Sequence, residues 1–194
     1  TRCVSAHVMA GSGRGEVTLK TERGLLRAVA RDDGLVSVNM GPPQTDWAEV
    51  PLARAVDTLH LPLPGDPVAV GMGNPHCVFF VPDADAVDLP AVGPTWEHDP
   101  LFPQRTNVEF VQVLSPGEIK LRIWERGTGP TLASGSCSCA AVVAAARRGL
   151  TGRRVKVNVP GGVLMIDWRE DGVWMEAPTA HVFSGVFTPE WLAG

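Results

Sequence analysis

Long apolar runs, blocks of basic charge and paired cysteines are all missing from this sequence, and each absence removes a class of protein. No apolar stretch approaches the ~18 residues that a membrane-spanning helix needs, and the first residues lack the basic, apolar and small-residue zones of a secretory leader. The expected compartment is therefore cytoplasmic, with no membrane partner. Basic residues never cluster beyond the pairs Arg147-Arg148 and Arg153-Arg154, and 17 basic against 21 acidic side chains leave a net charge of -4. That balance argues against nucleic acid as a partner. Only four cysteines are present, Cys3, Cys77, Cys137 and Cys139, and the one close pair is a C-x-C poorly spaced for an intrachain disulfide. Reduced thiols are expected. The five histidines are scattered and only His76 adjoins a cysteine, so no metal site is expected. The sequence also lacks an initial methionine: it opens on TRCVSAHVMA, which reads as the inside of a helix over 1–10, and we expect the chain to be missing its start.

What is present is enough for a core. With 194 residues, 44% of them hydrophobic, the chain reads as globular. Short alternating or apolar runs separated by turn residues predict about twelve strands: EVTLKTE, GLLRAVA, LVSVNM, LHLPL, PVAVGMG, CVFFVP, NVEFVQVL, EIKLRIWE, RRVKVNVP, GVLMIDW, GVWMEAP and AHVFSGVF. The proline-rich segment 83–103 reads as irregular apart from a helical turn. A second helix is expected from about Ser136 to Arg148, where CAAVVAAA is apolar or small on every face. A helix with no polar side must be enclosed all round. The fold class is thus α+β (α/β without βαβ alternation), with strands rolled around a central helix and a shorter unit of the same kind at the start.

Chemistry concentrates in a few turns. ERGTGPTLASGSCSC delivers Glu125 and Arg126 just before the second helix and places Ser134, Gly135 and Ser136 at its start. Free amides at a helix start, at the positive end of its dipole, bind carboxylate or phosphate. Serine there is also a common N-cap, so Ser134 or Ser136 has a purely local explanation. Arginine offers a planar fork for a carboxylate and glutamate accepts from an ammonium group, which together suit an amino acid; a surface ion pair is the plainer alternative. GMGNPHCVFF supplies Asn74 and His76, and RTNVEF supplies Asn107; each of these also has a local structural explanation.

GMGNPHCVFFV, RTNVEFVQV and ERGTGPTLASGSCSCAA, in this order, resemble the signature turns of the diaminopimelate epimerase family, and TRCVSAHVMA resembles the residues just after that family's first catalytic cysteine. The resemblance covers nearly the whole chain. It implies two pseudo-symmetric halves, each with strands wrapped about a central helix: residues 1–65 as the rest of the first half, 66–182 as the second, and 183–194 returning to the first. It implies a cofactor-independent, homodimeric isomerase that interconverts LL- and meso-diaminopimelate by two-base proton transfer, with a small amino acid as its partner. On this resemblance Asn74, Asn107, Glu125 and Arg126 bind substrate, Gly135 and Ser136 offer amides to its reacting carboxylate, and His76 and Glu125 sit beside the acid-base groups. Two departures matter. The first family cysteine falls about four residues before Thr1, and Ser134 stands where the second is expected, although a hydroxyl is far less acidic than a thiol. Two alternatives stay open: a racemase or isomerase of the same fold acting on another substrate such as hydroxyproline, and a catalytically silent amino-acid-binding homologue. Cys137, a tempting substitute for the thiol, sits a turn deeper on the helix, where core packing is its expected role.

Overall fold

Short alternating runs and short continuously apolar runs build most of the molecule. In the computed structural model, which describes residues 1–21 and 24–192, the strands are β1 (Glu16–Thr21), β2 (Gly24–Ala30), β3 (Val36–Asn39), β4 (Val68–Gly71), β5 (Pro75–Phe80), β6 (Asn107–Ser115), β7 (Glu118–Glu125), β8 (Gly129–Thr131), β9 (Arg154–Val159), β10 (Gly162–Arg169) and β11 (Gly172–Ala177). They form one sheet in the order β1-β2-β3-β11-β10-β9-β7-β6-β5-β4, with β8 on the side of β7. The pairs β5–β6 and β7–β9 are parallel and the others antiparallel. The helices are α1 (Arg2–Ser12), α2 (Leu89–Glu97), α3 (Gly135–Arg147) and a short α4 (Pro189–Leu192).

Helix α3 is the predicted central helix. Every residue from Cys137 to Ala145 is buried, and β4, β5, β6, β7, β10 and β11 all pack against it. Its alanines let the strands close around it, and Val70, Val78, Val111, Leu121, Ile166 and Val173 fill the space between. Helix α1 plays the same part on a smaller scale, lying on β1–β3 over Met9, Leu26, Ala28, Val36 and Val38. The two units meet where β3 pairs with β11, from Trp174↔Asn39 to Ala177↔Val36. There the buried carboxylate of Glu176 accepts from Arg31 at 3.2 Å, with Arg169 and Arg154 at 3.6 and 3.9 Å.

Ten of the twelve predicted strands form, and two do not. LHLPL stays irregular because Pro62 and Pro64 have no N–H to give a ladder; Leu61 instead plugs the core beneath α2. AHVFSGVF keeps its alternation but finds no strand partner among the described residues, leaving Val182, Phe183, Val186 and Phe187 exposed. The segment 83–103, expected to be irregular, contains α2. Its start is standard chemistry, with the Asp88 side chain accepting from the Ala91 amide at 3.3 Å and a proline in the first turn, where a missing N–H costs nothing. Trp96 then packs on Phe79, which stacks on Phe110, closing a second core on the outer face of β5 and β6.

Candidate active site

The parallel pairing of β5 with β6 sets His76 beside Asn107 and Val78 beside Glu109. Alternation then sends Cys77, Phe79, Val108 and Phe110 into the core under α2, and turns His76 and Glu109 toward α3. His76 Nδ1 lies 2.6 Å from Glu109 Oε1, and both side chains are fully buried. The other ring nitrogen, Nε2, lies 3.0 Å from Asn74 Oδ1. The turn carrying Asn74 is held from outside by Gln44, whose Oε1 accepts from the Gly73 amide at 3.0 Å. Gly71 must be glycine for that: an added Cβ would lie 2.7 Å from Gln44 Oε1.

The Glu125–Arg126 turn is held by two acceptors from neighbouring elements. Asn107 Oδ1 accepts from the Arg126 amide at 2.9 Å while Asn107 Nδ2 donates to the Pro75 carbonyl at 3.2 Å, so this buried side chain ties the His76 turn to the Arg126 turn. Glu97, at the end of α2, accepts from the Gly127 amide at 2.9 Å and from Trp124 Nε1 at 2.7 Å. Glu125 Oε1 accepts from the Thr131 hydroxyl at 2.8 Å. Among the described residues the Arg126 guanidinium donates once, to the Gln104 carbonyl at 2.9 Å, which leaves four of its five N–H donors for a ligand.

Ser134 is the N-cap of α3 by backbone alone. Its φ of -145° and ψ of 127° are extended and its carbonyl accepts from Ser138, but its side chain caps no helix amide. The local explanation for a serine at this position is therefore absent. The unused amides of the first turn are backed by Ser136, which lines a cleft of about 510 Å³ together with Asn74, Gly73, Met72, Met40, Leu26, Thr21 and Thr1. Thr1 is the N-cap of α1. Two helix starts, each with a positive dipole end, thus open on one cleft, an arrangement that holds a carboxylate and stabilises negative charge developing beside it. Among the residues expected from sequence, Asn74 and Ser136 line the cleft; Ser134 and Gly135 stand half-buried next to Ser136; His76 and Asn107 are buried behind Asn74; Glu125 and Arg126 are half-buried on the adjoining turn.

Cys137 is fully enclosed, and burial, reinforced by the Glu109 carboxylate, pushes its thiol well above the usual cysteine range. Enclosure thus favours its protonated form over a thiolate. Three residues escaped the sequence reading: Glu109, Glu97 and Gln44. Glu109 carried a signal, an acidic residue inside the apolar run NVEFVQV. Glu97 and Gln44 carried none, since their roles depend on which turns come beside them.

The sequence model of one family, diaminopimelate epimerase, matches residues 68–182. The chain is 54% identical over 199 residues to the diaminopimelate epimerase of Rhodospirillum centenum, covering 100% of this chain and 68% of that protein. The chain belongs to the diaminopimelate epimerase family. The corresponding enzyme of Brucella melitensis biotype 1 is 48% identical over 206 residues, covering 98% of this chain and 68% of its own length. The fold agrees: a predicted epimerase of Pseudomonas aeruginosa superposes with a TM-score of 0.62 over 91% of this chain and 69% of its own, at 17% identity. As a diaminopimelate epimerase family member, the chain carries serine at the position where the sequence resemblance calls for a catalytic thiol.

Glu97 gives the site an acid limit. Burial pushes its carboxyl upward, but donation from Trp124 and Gly127, with the nearby charges of His98 and Arg105, outweighs this and its pKa lies below the ordinary glutamate value. A depressed folded pKa contributes stability that is complete above the unfolded value of about 4.3 and is lost as pH falls through the folded value. We expect the urea midpoint to fall as pH drops below ~4, with a shallower fall in Glu97→Gln, measured by fluorescence-monitored unfolding between pH 3 and 6. An equal slope in both proteins would contradict the assignment.

Proposed function

We propose that the protein is a cofactor-independent diaminopimelate epimerase that interconverts the LL and meso forms, on the route to lysine and peptidoglycan precursors. The carrying observation is the identity along the full chain with enzymes of that name. In this reading the α-carboxylate of the reacting centre binds the amides of Gly135 and Ser136, where the dipoles of α3 and α1 stabilise the carbanion that forms when the α-proton leaves. Ser134 serves one face of that carbon, and the other face looks toward the start of α1. The distal amino-acid end is bound by Asn74, Asn107, Glu125 and Arg126, with the arginine fork taking the carboxylate. His76 and Glu125 shape the electrostatics around Ser134.

The proposal extends to a cytoplasmic homodimer, as the family resemblance implies; no helix among the described residues is long and apolar enough to cross a membrane. The division at 1–65, 66–182 and 183–194 is supported by the separate cores under α1 and α3, and for the last segment by Phe183, which shares a groove with α1.

The test is deuterium incorporation at the α-carbon of diaminopimelate in D₂O, followed by proton NMR. Arg126→Ala is expected to raise KM about 10- to 100-fold, the worth of one charge-assisted hydrogen bond, with Arg126→Lys only partly restoring it because an ammonium cannot reproduce the planar fork. An unchanged KM in Arg126→Ala would remove the arginine from the binding set.

A further inference from the structure

Two polar features inside the core are unexplained by substrate binding. Glu109 is fully buried, yet only one of its oxygens is used: Oε1 meets His76, whereas Oε2 has no hydrogen-bond partner. A buried carboxylate oxygen without a donor is costly, the more so when charged. The second feature is Cys137, in the first turn of α3. Its sulfur, a Glu109 carboxylate oxygen and a His76 ring nitrogen all lie within 4.8 Å of one another. Ser134 and Glu109 are the polar side chains that bear on its thiol. The thiol therefore lies beside a buried carboxylate with one open oxygen, in the same helical turn as the hydroxyl at the reacting position.

Resting on the epimerase reading, we propose that Ser134, Cys137 and Glu109 form a proton relay that lets a hydroxyl do the work of a thiolate, with Glu109 as the final proton acceptor. When the Cα–H bond of the substrate breaks, its proton passes to Ser134 Oγ and the electron pair stays on the α-carbon. The Ser134 hydroxyl hydrogen passes to Cys137 Sγ as the thiol hydrogen passes to Glu109 Oε2. The carboxylate ends neutral, the carbanion carries the charge, and the reverse sequence returns a proton to the substrate. The thiol's environment agrees with a relay in which sulfur passes a proton on rather than keeping a charge: burial, reinforced by the Glu109 carboxylate, holds the proton on sulfur. His76 holds Oε1 and so fixes the carboxylate beside Cys137, acting as a positioning residue.

The relay makes the importance of Cys137 depend on what stands at 134. With Ser134 in place, Cys137→Ala is expected to lower kcat for α-deuterium exchange on the order of 10²-fold with KM little changed. Cys137→Ser, whose hydroxyl can also pass a proton, should recover most of the loss. In a Ser134→Cys background the same Cys137→Ala change should cost less than about threefold, because a thiolate at the helix start needs no relay. Glu109→Gln, of the same shape, should repeat the Cys137→Ala pattern, and thermal melts of each variant report whether the core is intact. Equal losses in both backgrounds, or none in either, would overturn the relay. Exchange by the Ser134→Cys form with none by the Ser134 form would also overturn it while leaving the epimerase reading standing. No exchange by either form removes both.

Discussion

Ser134→Cys is expected to speed α-proton exchange of diaminopimelate by about 10²- to 10⁴-fold, the usual worth of a well-matched acid-base group. The reason lies in where the side chain stands. Ser134 precedes α3 with extended backbone, its side chain caps no amide, and it is half-buried beside the cleft rather than sealed in the core. A thiol there meets the positive end of a thirteen-residue helix, and helix starts bring cysteine pKa values down to ~3.5–7.5. A serine hydroxyl gains little from the same field, because its proton is held too tightly to be lost at neutral pH without help. Cys137 shows the opposite case three residues on, where enclosure rather than the helix start decides and the thiol stays protonated. The measurement is the initial rate of deuterium incorporation by NMR for the two proteins at equal concentration. A rate unchanged or lowered would show that Ser134 is not at the reacting face.

Gly93→Ala is expected to destabilise the protein by roughly 2–4 kcal/mol and to raise KM at the same time. An added Cβ would sit 2.3 Å from Trp124 Cδ2 and 2.6 Å from two further ring atoms, so the indole must move. Overpacking a filled core costs about 1–3 kcal/mol. Displacing this indole also breaks the 2.7 Å bond from Trp124 Nε1 to Glu97, worth about 1.5–3 kcal/mol for a charged acceptor, although a shift of the whole helix would recover part of it. Glu97 is the group that holds the Gly127 amide, so the same methyl loosens the turn that carries Arg126. Urea unfolding gives the stability change and steady-state exchange gives KM. A destabilised protein with an unaltered KM would show that the Arg126 turn does not depend on Glu97. The position illustrates how a packing residue on α2 can act on the Arg126 turn through a single carboxylate.

Most of the sheet was legible because its strands are alternating or continuously apolar runs bounded by turn residues, and α3 was legible because no face of CAAVVAAA could meet water. Helix α2 was hidden by its own start signals: Asp88 and Pro90 favour a first turn, but in a stretch with four prolines they read equally well as punctuation. LHLPL failed for the complementary reason, since apolar alternation cannot supply the N–H groups that proline removes. The residues proposed to bind substrate were visible through the resemblance, whereas their support was not. Asn107 looks like a turn asparagine in the sequence and proves to be a tie between two turns, a role set by the parallel pairing of β5 with β6, which leaves no local mark. Ser134 reads as a helix cap in the sequence, yet its side chain caps nothing. Glu109 was readable in principle: a carboxylate inside an apolar strand must have a buried reason.

The seam between β3 and β11 has a consequence for biosynthesis. During synthesis β3 emerges early and β11 comes near the other end of the chain, so until then β3 has β2 on one side and an open row of amides and carbonyls on the other. An open edge of this kind is a template for pairing with a second chain. Ser37, buried at the finished seam, keeps a polar side chain on that edge while it waits, and the arginines that meet Glu176 of β11 reward only the correct partner. The nascent chain is thus most vulnerable to mispairing in the interval between making β3 and making β11, and the cleft, which spans this seam, is assembled only when that interval ends.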